Sequence, residues 1–314
     1  MGKSKIEFKI PTDQTKKGIW KYESFLSPVG DRYKLSLNEG GTSEVRPEED
    51  LILKREDENP TGSLKDRGMA YLVSKLSSQG KMSFVLSSSG NAAISAVNYC
   101  QLVGMNLVIF VSPKIDKAKL GFLKSKKASL IFSKKPVSDS IRFSHKEGFT
   151  NLSPSRNLFG PEGYQTIAFE LLLNQNLIDD IFIPVSSGVA LIGVALGFSK
   201  FGFMPRIHVC QTTAVCPIAS LYDKNFTRET NSLAGALVAK YIPLKSRVIE
   251  AVNKSGGSGW VISNREIENS QKYLVKKGIT TSNEGAVALA GWMKAKRSGW
   301  QLGKSVCLLT GKKY

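Results

Sequence analysis

Histidine and cysteine are the scarce chemistry in this chain: two histidines, His145 and His208, and four cysteines, Cys100, Cys210, Cys216 and Cys307, among 314 residues. The cysteines are scattered with no close C-x-x-C pair, so their spacing writes neither a disulfide framework nor a zinc module. Reduced and mostly buried thiols are expected. Two histidines do not complete a metal set with them, and none is assigned. Long apolar runs are missing too, and no stretch approaches the length needed to cross a bilayer as a helix. The opening MGKSKIEFKIP lacks the apolar core of a secretory signal, and Ile6 stands where a myristoylation acceptor pattern needs Ser or Thr. A soluble, cytoplasmic protein without a membrane partner is the expectation.

Acidic residues are also in deficit, 26 Asp plus Glu against 44 Lys plus Arg, for a net charge of +18. Such a balance raises the question of a nucleic-acid or anionic-surface partner. The lysines are spread along the chain rather than gathered in one arm, and the run from Lys114 to Lys127 reads as the solvated face of a helix. Nucleic acid is therefore not expected as the main partner. Hydrophobic residues make up 41% of a chain longer than one ordinary core requires, so one large or two medium domains are expected.

What is present is a turn-rich stretch, Glu58-Asn59-Pro60-Thr61-Gly62-Ser63-Leu64-Lys65-Asp66-Arg67-Gly68, between an apolar run at Leu51 to Arg55 and a helix. A lysine in a first helical turn meets the positive end of the helix dipole, which lowers its pKa. A partly neutral amine is what Schiff-base chemistry needs. Taken alone, Lys65 reads more readily as a surface lysine of a basic protein.

Downstream, short β-rich runs alternate with helical ones, the mark of a parallel sheet with helices on both faces. Strands are expected at 84–87, 107–112, 130–133, 181–185, 206–212 and 305–309, and helices at 92–103, 117–126, 138–147, 167–174, 191–201, 267–276 and from Ser282 to about Lys296. Ser87-Ser88-Ser89-Gly90-Asn91 and Val185-Ser186-Ser187-Gly188-Val189-Ala190 share one layout, a strand, a turn of small residues and then a helix. Such turns aim backbone N–H groups at an anion, although the first is also compatible with an ordinary N-cap. No Lys-Ser/Thr follows the second, so a nucleotide-binding P-loop is poorly supported. Asn151 to Arg156 is a polar connector, where Arg156 has the planar fork suited to phosphate or sits simply on a surface loop. Glu284, by itself, is an acid near a helix N-terminus.

Asn59 to Gly68, NPTGSLKDRG, resembles the cofactor-lysine motif of the fold type II pyridoxal-phosphate enzymes, and within them most closely threonine synthase. Gly18, Trp20 and Tyr22, followed by Leu37, Glu39, Gly40, Gly41 and Thr42, resemble the opening segment of that subfamily. The likeness runs in order over nearly the whole chain. It implies two open twisted, mostly parallel sheets flanked by helices, with pyridoxal 5'-phosphate between the domains. A larger cofactor-binding domain, residues 1–72 and 161–314, and a smaller mobile substrate-binding domain, residues 73–160, are expected.

By the same resemblance, Lys65 is the catalytic residue that binds the cofactor covalently. Asn91 bonds the ring oxygen, while Ser186, Ser187, Gly188, Val189 and Ala190 hold the phosphate. Glu284 lies near the ring, and Thr310 faces its nitrogen. Ser88, Ser89, Gly90 and Asn91 grip a substrate carboxylate, and Ser153, Ser155 and Arg156 a substrate phosphate. The implied reaction converts O-phospho-L-homoserine and water to L-threonine and phosphate, a lyase step of amino-acid biosynthesis, in a homodimer. Ser89 also resembles sulfhydrylases and dehydratases, and Ser186 and Val189 depart from the glycine-rich family turn. A cysteate synthase-like, sulfhydrylase-like or serine/threonine dehydratase activity, or a non-catalytic basic binding protein, therefore stands as the alternative.

Overall fold

Apolar runs too short to be helices become strands, and the periodic segments between them become their cover, in a computed structural model that describes residues 8–175 and 177–314. Residues 1–7, on which the reading of the amino terminus partly rests, lie outside the described residues. After 3₁₀ segments at Gly18–Phe25 and Asp31–Tyr33 come the antiparallel strands β1 (Glu44–Glu48) and β2 (Leu51–Lys54). The chain continues through α1 (Lys65–Ser78), β3 (Ser83–Ser87), α2 (Asn91–Gln101), β4 (Asn106–Val111), α3 (Lys117–Ser125), β5 (Ser129–Phe132), α4 (Pro136–Glu147) and β6 (Thr150–Asn151). It then forms α5 (Gln165–Gln175), β7 (Asp180–Pro184), α6 (Val189–Ser199), β8 (Arg206–Thr212), α7 (Lys245–Lys254), β9 (Gly259–Ile262), α8 (Asn264–Lys276), α9 (Asn283–Arg297) and β10 (Ser305–Leu308).

The elements fall into two units. The first holds the described residues up to Pro11, Gly41–Glu58 and Tyr164–Lys313, around a sheet ordered β1-β2-β10-β7-β8-β9, parallel except at β1. Every residue of β2, β7, β9 and β10 is buried, as parallel strands covered on both faces require. Leu51, Leu53, Phe182, Ile262 and Cys307 pack there with Ile267 and Leu274 of α8 and Ala286 to Ala290 of α9. Both helices start at serine caps. Ser263 forms a capping box with Glu266, and Ser282 accepts the Gly285 N–H. Within the same sheet, the fully buried Lys54 ammonium meets Glu170 at 2.7 Å, Glu44 at 3.1 Å and the Thr42 carbonyl at 2.8 Å.

The second unit holds Thr12–Gly40, Asn59–Gly163 and Tyr314, around an all-parallel sheet ordered β5-β4-β3-β6. It reaches beyond residues 73–160 because α1 packs on α2 and the aperiodic aromatic segment wraps α1. The Trp20 and Tyr71 rings lie 5.8 Å apart, and the Leu35 N–H donates to Ser74 Oγ at 2.9 Å. All four cysteines are free and buried, and burial pushes the Cys100 thiol up to about 12. No helix among the described residues is long and apolar enough to cross a membrane.

Candidate active site

A turn that must end on a lysine facing into the protein needs its own fastenings, and Asn59 to Asp66 supplies them. The Gly62 N–H closes the turn on the Asn59 carbonyl at 2.6 Å, and the Asn59 side chain accepts the Gly40 N–H at 2.9 Å. The buried Asp66 carboxylate accepts the Thr61 N–H at 2.6 Å and the Thr61 hydroxyl at 2.5 Å, which locks the turn onto the start of α1. Tyr314 donates its hydroxyl to the Thr61 carbonyl at 2.8 Å. Lys65 opens α1, and its pKa falls from 10.5 to about 8. Burial lowers it, because an ammonium loses its hydration there while a neutral amine loses little.

The turn after β3 is held by its own serines. Ser88 Oγ accepts the Gly90 N–H at 3.2 Å, and Ser89 Oγ accepts the Ser112 N–H at 2.8 Å. Gly90 then stands at the N-cap of α2 with no side chain to cap it, and a Cβ built on Gly90 would meet nothing within 4 Å. The Asn91 side-chain oxygen is buried with no hydrogen-bond partner.

Pairing of β6 with β3 brings the next candidates to the same edge. Asn151 lies opposite Val85, and the Leu152 N–H donates to the Val85 carbonyl at 2.8 Å, so the 152–156 segment leaves the sheet beside the Ser87–Gly90 turn. Asn151 Oδ1 accepts the Ser153 N–H at 2.9 Å, the Ser153 and Ser155 hydroxyls are 3.3 Å apart, and the Arg156 N–H closes a turn on the Ser153 carbonyl at 3.0 Å. The Arg156 side chain is exposed and forms no ion pair among the described residues.

In the first unit, β7 and β10 are parallel neighbours, so the turn after β7 and Thr310 after β10 leave the same edge. Gly188 caps α6 at φ 83°, and a Cβ there would come 2.5 Å from Val248 Cγ2 of α7. No side chain caps α6, and Ser186, Ser187 and Ala190 are half-buried around its first N–H groups, with Gly188 and Val189 buried. The nearly buried Thr310 hydroxyl has no hydrogen bond to another described residue. The adjacent Gly311 carbonyl accepts the Thr281 hydroxyl at 2.9 Å and the Ser282 N–H at 2.8 Å, tying this segment to the start of α9. Glu284, in that first turn, accepts the Ala236 N–H at 2.9 Å and thereby braces the loop through Ala236.

Two polar networks were not read from the sequence. Glu39 is fully buried and accepts the Tyr99 hydroxyl at 2.6 Å and the Leu37 and Ile19 N–H groups at 3.0 and 3.2 Å, fastening the aromatic segment to α2. Burial raises its pKa. An acid flanked by Leu37 and a Gly-Gly pair was the available signal. The second is the Asp66 to Thr61 lock described above, signalled only by a short acid directly after the lysine.

A family model described as "Pyridoxal-phosphate dependent enzyme" matches residues 38–311. Among curated proteins, the threonine synthase of Methanocaldococcus jannaschii is 28% identical over 338 residues, covering 98% of this chain and 83% of that protein. The threonine synthase of Bacillus sp. (strain ULM1) is 30% identical over 304 residues, covering 90% and 85%. Among solved structures, maize serine racemase superposes with a TM-score of 0.73 at 22% identity, covering 84% of this chain and 83% of that one, a likeness of fold.

Each unit taken by itself carries groups that suit part of a phosphorylated pyridine aldehyde. The uncapped N-terminus of α6 suits its phosphate. The orphaned amide oxygen of Asn91 lacks the partner that a ring hydroxyl would supply. A free hydroxyl at Thr310 can donate to a neutral ring nitrogen.

Proposed function

The chain belongs to the pyridoxal-phosphate-dependent enzyme family, and from that premise we propose that it is a lyase of the threonine synthase type, converting O-phospho-L-homoserine and water to L-threonine and phosphate. The residues that would hold pyridoxal phosphate are Lys65, through its amine, Asn91 for the ring oxygen, Ser186 to Ala190 for the phosphate, Glu284 for the ring and Thr310 for its nitrogen. When bound, it supplies an electron sink for the substrate's α-carbon.

The chain's own groups do the rest. As a free amine, Lys65 would take protons from Cα and Cβ, return one to Cγ after phosphate has left it and one to Cα after water has added at Cβ, the water's other proton ending on the phosphate. An amine with a pKa of about 8 can work in both directions near neutrality. The N–H groups opening α2, with Ser88 and Ser89, hold the α-carboxylate. Arg156, with Ser153 and Ser155, holds the phosphate ester.

The observation that carries this reading is the pairing of β3 with β6, which gives two anion-suited segments, Ser88 to Asn91 and Ser153 to Arg156, a shared sheet edge. An amino acid that also bears a phosphate has two anions to match. Threonine synthases covering nearly the whole chain support the same choice.

The test is incubation of cofactor-loaded protein with O-phosphohomoserine, measuring threonine and free phosphate. Equal yields are expected, with none from Lys65→Ala and a KM raised about tenfold or more by Arg156→Ala, the loss of one charge-assisted contact. Turnover of serine or threonine with no use of O-phosphohomoserine would replace this reading by the dehydratase one.

A further inference from the structure

The four-stranded sheet of the second unit ends in an open edge. β5 pairs with β4 alone among the described strands, Ser129 opposite Val108 through Phe132 opposite Val111. In a parallel strand the N–H and C=O of one residue face the same neighbour, and alternate residues face opposite sides. The Ser133 N–H donates to the Val111 carbonyl at 2.9 Å, so Ser133, Ile131 and Ser129 face β4. Leu130 and Phe132 therefore turn their backbone groups outward.

The side chains along this edge are apolar and open. Phe132 is 50% exposed, Ile131 38% and Val137, in the first turn of α4, 53%. Around them the charge is one-sided: residues 114 to 146 hold ten Lys or Arg against two Asp, in a chain whose whole net charge is +18. The helix face expected from Lys114 to Lys127 does not include Lys134 and Lys135, which lie between β5 and α4. Both acids are engaged, Asp116 as the cap of α3 and Asp139 with Ser133 and Arg142. Lys124, Lys127, Lys134 and Lys135 are exposed and have no acidic partner among the described residues.

An open edge ringed by lysines repels a second copy of itself, which is how proteins guard such edges. The same charges attract a strand of opposite sign. Nucleic acid would use the lysines but leave the outward backbone groups and the aliphatic side chains unused. We propose that β5 is the docking edge for an acidic, extended segment of a partner protein, which adds to the sheet as a fifth strand. Its carboxylates meet the lysines among Lys124, Lys127, Lys134 and Lys135 that border one face of the sheet, and its apolar residues meet Ile131 or Phe132 on the other.

The probe is a fluorescent ten-residue peptide of alternating glutamate and valine, titrated against cofactor-loaded protein at low and moderate salt. Two comparisons accompany it: the same peptide N-methylated at every second residue, and a single-stranded DNA of equal charge. Binding by the first peptide is expected, at least tenfold weaker for the N-methylated form and for Lys134→Glu with Lys135→Glu. Charge reversal at Lys272 and Lys276, on α8 of the other unit, leaves it unchanged. Hydrogen exchange supplies a second readout, since the Leu130 and Phe132 amides should gain protection on binding while the Ile131 amide, already bonded within the sheet, should not. Equal binding of the N-methylated peptide, tighter binding of the DNA, or no added protection at Leu130 and Phe132 would each overturn the proposal.

Discussion

The turns after β3 and β7 have nearly the same letters, Ser-Ser-Gly-Asn-Ala against Ser-Ser-Gly-Val-Ala, and each opens an eleven-residue helix whose glycine N-cap has no capping side chain. Their glycines are there for different reasons. Gly188 is dictated by its own fold, because its φ of 83° strains any L side chain and Val248 fills the space where a Cβ would go. Gly90 has an ordinary extended backbone and open space in front of it. Gly188 answers to its own fold, whereas no described residue demands a glycine at Gly90, a distinction invisible in the motif itself.

The largest way to test that contrast is Gly188→Ala. Left-handed strain of about 1–2 kcal/mol and overpacking of about 1–3 kcal/mol predict a loss of unfolding free energy of about 2–5 kcal/mol, read by chemical denaturation. Adding Val248→Ala should recover the packing part and leave the strain. Full recovery would mean that φ at this position relaxes, and the contrast with Gly90 would then rest on space alone.

A second test concerns Lys65, whose helix also lacks a side-chain cap but begins with a cation. Only the neutral amine attacks an aldehyde, so cofactor attachment to the unloaded protein should accelerate with rising pH and reach half its maximum near pH 8 rather than 10.5. At pH 7 that makes Lys65 faster by a factor on the order of a hundred than an ordinary lysine. Borohydride trapping followed by peptide mapping checks the profile. The linkage has a definite sign. With the folded-state pKa below the unfolded one, the unfolded chain binds more protons between pH 8 and 10.5, so the unloaded protein should gain stability as pH rises through that window.

Asn91 gives a smaller effect, of the kind expected beside Gly90. Its side-chain oxygen already lacks a partner, so Asn91→Ala removes an unsatisfied group and should change stability by no more than about 1 kcal/mol. Cofactor affinity should fall about tenfold, one hydrogen bond's worth, measured by fluorescence titration.

Much of the framework was legible beforehand, and for a physical reason. β8 was expected at Arg206 to Thr212 and is found there, and α1 starts at Lys65, because short apolar runs and a Pro-Gly turn are local signals. β1, β9 and α7 were missed. β1 contains Pro47 and alternates little, and β9 is four residues inside a glycine-rich stretch. The buried Lys54 was illegible because the glutamates that make it tolerable, Glu44 and Glu170, come from ten and 116 residues away. Positions such as Asn91 and Thr310 were singled out as candidates through the order of motifs. Their bonding state was not legible, since an unpartnered amide oxygen is a property of everything around it.

The smallest expected effect is the most discriminating. Gly90→Ala adds one methyl group to a backbone that accepts it, facing open space, and it lowers the entropy of the unfolded chain. Stability should hold or rise by about 0.5 kcal/mol, opposite in sign to Gly188→Ala. Any loss must then appear in what the turn binds. If the α-carboxylate approaches these N–H groups, the methyl group intrudes on its path, and KM should rise several-fold while cofactor absorbance and Tm stay at their starting values. An unchanged KM would move the carboxylate away from the Ser88 to Asn91 turn. A falling Tm would instead make Gly90 a second Gly188, and the difference between the two turns would disappear.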